Sequence, residues 1–182
     1  IVATLTEVST SGTSSGGVDT VAVSPAAATR AVIPGVSVGA GSGVRVVAPG
    51  QRPAVASVSV AGPQGLVALR GGSVLTVPAG GSVDLPLTGL AAGTYSVEVS
   101  ADVPIIASAL GRLVSSPDAD LAWASSALPV SGVSGVTLTG AGKASVALRA
   151  QSSVVSVTLW TVVAGVATPR ELRVPADRVT LI

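Results

Sequence analysis

Histidine, cysteine, phenylalanine and methionine are all absent from this chain of 182 residues. Without cysteine there is no disulfide, and without cysteine and histidine the usual zinc ligands are missing. Histidine acid–base catalysis and the Ser–His and Cys–His nucleophile pairs are excluded for the same reason. Lys143 is the only lysine, and no Gly-x-Ser-x-Gly or Ser-x-x-Lys pattern occurs. Charged residues make up 10% of the chain, against about a quarter in an average domain. The formal net charge is +1 and no basic run exists, so nucleic acid finds no electrostatic foothold. No apolar run approaches the ~20 residues that cross a bilayer as a helix. The sequence has no initiator methionine and no basic-then-apolar leader. It opens at Ile1-Val2-Ala3-Thr4, which reads as the middle of a strand, and a further upstream part is expected.

What remains is valine, alanine, glycine, serine and threonine. Valine-rich segments favour strands, because β-branched side chains suit a pleated, half-buried surface. With 22 glycines and 12 prolines as punctuation, the pattern predicts an all-β fold of many short strands. No helix longer than a turn or two is expected. The stretch Val74 to Leu87 is the clearest case: strand, Pro78-Ala79-Gly80-Gly81 turn, then Val83, Leu85 and Leu87 alternating with Ser82, Asp84 and Pro86. Further strands are predicted at Ala31 to Val38, Val44 to Ala48, Val55 to Ala61, Leu66 to Arg70, Thr94 to Val99, Val103 to Leu110 and Ala119 to Ala124.

The chain echoes itself. Ile105-Ile106-Ala107-Ser108 matches Ile1-Val2-Ala3-Thr4 at 105 − 1 = 104, and Asp120 matches Asp19 at 120 − 19 = 101. Ser156-Val157-Thr158-Leu159 matches Ser57-Val58-Ser59-Val60 at 156 − 57 = 99, and Val174-Pro175-Ala176 matches Val77-Pro78-Ala79 at 174 − 77 = 97. Nearly constant offsets predict a tandem repeat of about 100 residues. The expected architecture is two immunoglobulin-like or fibronectin-like antiparallel β-sandwiches. Residues 28–130 form one complete unit. Residues 1–27 and 131–182 are a tail and a head that make a second, discontinuous one. Strands missing from that second unit come from residues 1–27 or from another chain.

Three aromatic residues are candidate structural anchors: Tyr95, Trp123 and Trp160. Tyr95 follows Leu90-Ala91-Ala92-Gly93-Thr94, which resembles the corner of immunoglobulin-like sandwiches where a tyrosine hydroxyl bonds upstream backbone. The two tryptophans are expected as core or inter-domain anchors, and exposure of both on one face would instead suit sugar stacking. Asp118 and Asp120, with Glu98 and Asp102, make a conceivable carboxylate or calcium cluster, but Asp118-Ala119-Asp120 lacks the other oxygen ligands of a calcium loop. Glu7 with Asp19 is a weaker pair of the same kind. Arg170, Arg173 and Arg178 beside Glu171 and Asp177 read as surface ion pairs. Gly39 to Gly43 precedes a strand rather than a helix and is no phosphate cradle. No catalytic residue, metal ligand or cofactor is expected.

Four segments carry a wider resemblance: Thr29 to Gly35, Val77 to Leu85, Ser100 to Ala107 and Asp120 to Ala124. They resemble a group of actinobacterial extracytoplasmic proteins whose function is not assigned. The resemblance implies β-sandwich repeats, secretion or membrane anchoring, and genes beside cell-envelope glycosyltransferases. That group has no assigned catalytic residues to carry over. The expected function is a non-catalytic structural or interaction module of the cell envelope with a protein partner. A carbohydrate-binding or adhesive module, and a phage or surface-layer component, are the alternatives.

Overall fold

The computed structural model describes residues 5–11, 14–21, 23–115, 118–135 and 145–182. Among these the fold is all-β, with no helix and with antiparallel pairing throughout. The strands are β1 (Leu5–Ser11), β2 (Ser14–Val21), β3 (Ala28–Val38), β4 (Gly43–Val47), β5 (Ala54–Gly62), β6 (Gly65–Val67) and β7 (Val74–Val77). They continue as β8 (Ser82–Pro86), β9 (Gly93–Ser115), β10 (Asp118–Ser125), β11 (Ala147–Leu148), β12 (Val155–Val163), β13 (Val166–Val174) and β14 (Thr180–Leu181).

The segments Thr94 to Val99 and Val103 to Leu110, expected as two strands, form one strand of 23 residues. Its first part pairs with β3 and β5, and its second part with β4 and β10. Asp102, Val103 and Pro104 stand between the two runs without a ladder partner. Proline has no N–H to give a ladder, so this changeover is where it can sit in a strand. Asp102 adds a contact of its own, accepting the Val55 N–H at 2.8 Å at the start of β5.

Both ladders feed one buried cluster. Ile33 and Val36 of β3, Val44 and Val46 of β4, Val58 and Val60 of β5, and Val97, Val99, Ala107 and Ala109 of β9 all belong to it. The period-2 alternation of valine and alanine sends one side of each strand into this cluster. Small residues let backbones come close. A Cβ on Gly111 would stand 2.7 Å from the Ser37 carbonyl oxygen, so only glycine fits where β9 crosses β3. Tyr95 is the one large aromatic in the cluster and packs on Gly62. Its hydroxyl donates to the Ala91 carbonyl at 3.0 Å.

Residues 145–182 form two small ladders, β11 with β14 and β12 with β13. No ladder among the described residues joins them to β1 or β2, which pair with each other. Polar contacts fasten the segment to the large sheet. Glu98 on β9 receives Arg30 Nε at 2.7 Å and Arg149 Nη2 at 3.1 Å. Arg30 also donates to the Gln151 carbonyl at 2.8 Å, and within the segment Arg149 Nε donates to the Ala176 carbonyl at 2.9 Å. The Val179 N–H donates to the Gly62 carbonyl at 3.2 Å. The side chains of Arg149 and Glu98 are only 7% and 15% exposed. Removing the carboxylate would strand a buried guanidinium, which costs far more than losing a surface pair.

Two stability changes follow. Tyr95→Phe is expected to lower stability by about 1 kcal/mol, the net worth of one hydrogen bond, measured by urea unfolding. Glu98→Gln is expected to cost roughly 2–3 kcal/mol, below the range for fully enclosed pairs because the Arg30 side chain is 36% exposed. Arg149→Ala should destabilise more than Arg30→Ala in the same assay. Equal effects would show that the buried position of Arg149 does not matter.

Candidate functional site

The carboxylates named from sequence do not converge. Glu98 is held between two arginines and Asp102 caps β5. Asp118 and Asp120 lie on β10 in register with Ser115 and Leu113, and their side chains fall outside the described residues, as do those of Glu7 and Lys143. The Asp19 carboxylate accepts the backbone N–H of Trp123. Among the described residues no three potential ligands gather to hold a metal ion. Asp177 pairs with its neighbour Arg178 at 3.3 Å, and that hydrogen bond holds its carboxyl below the usual range. Glu171 accepts from the Thr158 hydroxyl at 3.1 Å across the β12–β13 ladder, where Arg170 and Arg173 stand opposite Leu159 and Ser156. The Gly39–Gly43 loop closes on itself through Ser42, whose N–H donates to the Gly39 carbonyl while its Oγ accepts the Gly39 N–H.

Trp123 lies on β10 and is half-buried. The Arg45 guanidinium stands 5.4 Å from the centre of its ring, within cation–π reach. Arg45 in turn makes two 2.8 Å bonds to Asp84. The Arg45 hydrogen bonds hold the Asp84 carboxyl below its ordinary value, so this pairing persists above the ordinary carboxylate range and is lost as pH falls through the lowered value. These groups line a shallow cavity of about 350 Å³ together with Gly41, Leu85 and Leu110. One face of the indole is therefore occupied by a cation, which leaves a poor platform for a sugar ring.

Trp160 is placed differently. It sits on β12 opposite Pro169 and is 59% exposed rather than enclosed as an anchor. The reason lies in the ribbon that carries it. Nine cross-strand pairs run from Val155↔Val174 to Val163↔Val166, closed by Ala164 and Gly165, both at positive φ. That is the backbone of a tight two-residue hairpin turn. Alternation puts Val155, Val157, Leu159, Thr161 and Val163 on one face, and Ser156, Thr158, Trp160 and Val162 on the other. Trp160 thus faces away from the apolar side, where Val157, Leu159 and Leu172 are half-buried and Val174 is fully buried. Val155, Val162, Val163 and Val166 are exposed.

The two strands of this ribbon differ in a way that bears on function. β13 contains Pro169, Arg170, Glu171 and Arg173, whereas β12 has no charge and no proline over nine residues. Charges and prolines are what keep a sheet edge from pairing with other chains. The outer edge of β12 is the unprotected one, and it is the candidate site. Sequence reading noted Ser156 to Leu159 only as a repeat match. The signal that would have found the edge is the uncharged run from Val154 to Val163.

No curated protein matches the chain. Among solved structures, the crystal structure of Thermotoga maritima 1070 is similar at 13% identity and a TM-score of 0.43, over 57% of this chain and 96% of that one. So slight a likeness bears on neither fold nor function. The match to a family reaches much further along the chain. It runs over residues 1–181, and the chain belongs to the DUF5719 family, a family of unknown function.

Proposed function

We propose that this protein is a non-catalytic structural and interaction module of the cell envelope, which meets a protein partner through the β12–β13 ribbon. The observation that carries the reading is the ribbon itself. It combines exposed valines, an exposed tryptophan and an edge without charge or proline. Aromatic and apolar residues of this kind are enriched at the centres of protein interfaces, where charges are depleted. The resemblance to actinobacterial extracytoplasmic proteins supports placement outside the cytoplasm and beside envelope glycosyltransferase machinery.

The unit is read as an immunoglobulin-like sandwich that recurs along the chain. Two ladders feeding one core and the Tyr95 hydroxyl bonded to Ala91 support the first part. Recurrent pairing supports the second. The pairs Val60↔Val67, Ala61↔Leu66 and Gly62↔Gly65 return as Thr161↔Thr168, Val162↔Ala167 and Val163↔Val166 at 161 − 60 = 101. In this reading residues 28–130 are the complete unit and 131–182 open a second. A carbohydrate-binding role is the second reading, favoured by the exposure of Trp160 and opposed by the cation stacked on Trp123.

A photo-crosslinking amino acid at Val162 or Val163, in cells that make the protein, is expected to capture a protein of the envelope fraction. The same group at Gln51, in the connection between β4 and β5, is expected to capture much less. Capture of polysaccharide alone at the ribbon positions would replace the first reading with the second, and recovery of the protein from cytoplasm alone would end both. Replacing Asp118 and Asp120 together by alanine should leave stability and partner capture unchanged. A glycan-cleaving activity that disappears in that double variant would make the protein an enzyme, because two carboxylates suffice for that chemistry.

A further inference from the structure

We propose that the cavity beside Trp123 binds a sugar acid, with Arg112 holding its carboxylate and Asp84 accepting from its hydroxyls. The cavity is formed by β4, β8, β9 and β10 and shares no residue with the β12–β13 ribbon, so the inference does not rest on the reading of that ribbon.

The cavity follows from strand alternation. Val44 and Val46 of β4 and Ala107 and Ala109 of β9 are buried in the core. Gly43 and Arg45, and Leu110 and Arg112, therefore belong to the opposite face of the same sheet. On one side Leu110 pairs with Trp123 and Arg112 with Leu121. On the other side Arg45 pairs with Asp84 and Gly43 with Pro86. Gly43 has no side chain to place on this face, and the hollow of about 350 Å³ opens over it. Leu110 is its floor, Trp123 one wall, and Asp84 with Pro86 the other. Arg45 stands two residues from Gly43 along β4, and Gly41 stands two residues from it in the other direction. The volume is at the small end for ligand cavities and suits one ring rather than a chain.

The charges around this cavity do not balance. Arg45 is matched by Asp84 through two 2.8 Å bonds. Arg112 is not matched. It has no hydrogen bond or ion pair among the described residues, and its Nε is enclosed without a partner. A Cβ on Gly41 would stand 3.7 Å from that Nε, which puts the guanidinium at the Gly41 end of the cavity. An enclosed cationic donor without an acceptor is costly, and an anion from outside would offset that cost. The residue is only half-buried, so the cation is not sealed from such an anion. One unpaired guanidinium fork matches one planar carboxylate. Phosphate would bring a second charge with no cation to meet it.

Asp84 sets the chemistry of the other end. Its two oxygens each accept one bond from Arg45 and each keep a further acceptor site. Its side chain is 58% exposed, so those sites are open to hydroxyl donors and repel a second anion. Between the two ends, Leu110, Pro86 and the part of the indole not covered by Arg45 offer apolar surface to ring C–H groups. A carboxylate, hydroxyls and an apolar ring on one small molecule is the chemistry of a uronic acid. A neutral sugar would leave Arg112 unmatched and would find one indole face already taken.

Trp160→Phe leaves Trp123 as the sole tryptophan, so its fluorescence then reports on the cavity. Glucuronate titrated into that chain is expected to change the emission saturably. Glucose lacks the carboxylate and acetate lacks the ring, and each should bind about tenfold more weakly or worse. Arg112→Gln in the same background should weaken glucuronate by about tenfold or more, whereas Arg170→Gln on β13 should change it less than about twofold. Should Arg112→Gln fail to fold, substitutions at the exposed Gly41 decide. Gly41 has φ +82°, which Asp and Asn tolerate better than most residues. Gly41→Asp would give Arg112 a carboxylate from within the chain and should abolish binding. Gly41→Asn has the same shape without the charge and should keep most of it. No saturable change with glucuronate, equal binding of glucose, or equal binding by the Gly41→Asp and Gly41→Asn chains overturns the proposal. Acetate binding as tightly as glucuronate overturns it as well, because the ring and its hydroxyls would then contribute nothing.

Discussion

Because β9 belongs to two ladders at once, the inward side chains of β3, β4 and β5 are brought to a common core by a single covalent strand. The large sheet has no disulfide and one large buried aromatic to organise it. Valine and alanine fill the space instead, and their small size demands close backbone approach, as at Gly111 against Ser37. Burial of valine is worth about 1.5–3 kcal/mol a side chain, so many short contacts achieve what fewer aromatic ones would. The changeover of β9 between ladders falls where proline removes a donor that no neighbour needs.

The same dependence explains the state of the C-terminal segment. It pairs β11 with β14 and β12 with β13, and among the described residues no third strand joins either ladder. A hairpin without a third strand is marginal in water. This one is tied to the large sheet by Glu98 and its two arginines and by the Val179–Gly62 bond. Buried charges are an expensive fastening, and here a carboxylate shared between two guanidiniums offsets part of its own desolvation.

Scarcity of charge gives each ion pair a definite place. Arg45 bridges Asp84 and the Trp123 ring, Arg30 and Arg149 converge on Glu98, and Arg178 folds onto Asp177. On the ribbon the charges gather on β13 and leave β12 bare. An edge of that composition is open to pairing with an extended chain.

Strand identity was legible in the amino-acid order, because alternation of valine with serine and threonine has one physical outcome on a pleated backbone. The segments around Val46, Val58 and Leu85 needed no tertiary information, and Leu90 to Tyr95 pointed correctly to a hydroxyl–backbone bond. The continuity of β9 was hidden, since Pro104 reads locally as a breaker and only the change of ladder partner makes it harmless. The exposure of Trp160 was hidden too, because alternation assigns a side chain to a face but not to the face that becomes covered. Pairings such as Arg149 with Glu98, and the open edge of β12, depend on which distant strands arrive. Local sequence determined the strands and their inward faces, whereas tertiary structure alone decided which edges are closed, because closure is set by partners far away along the chain.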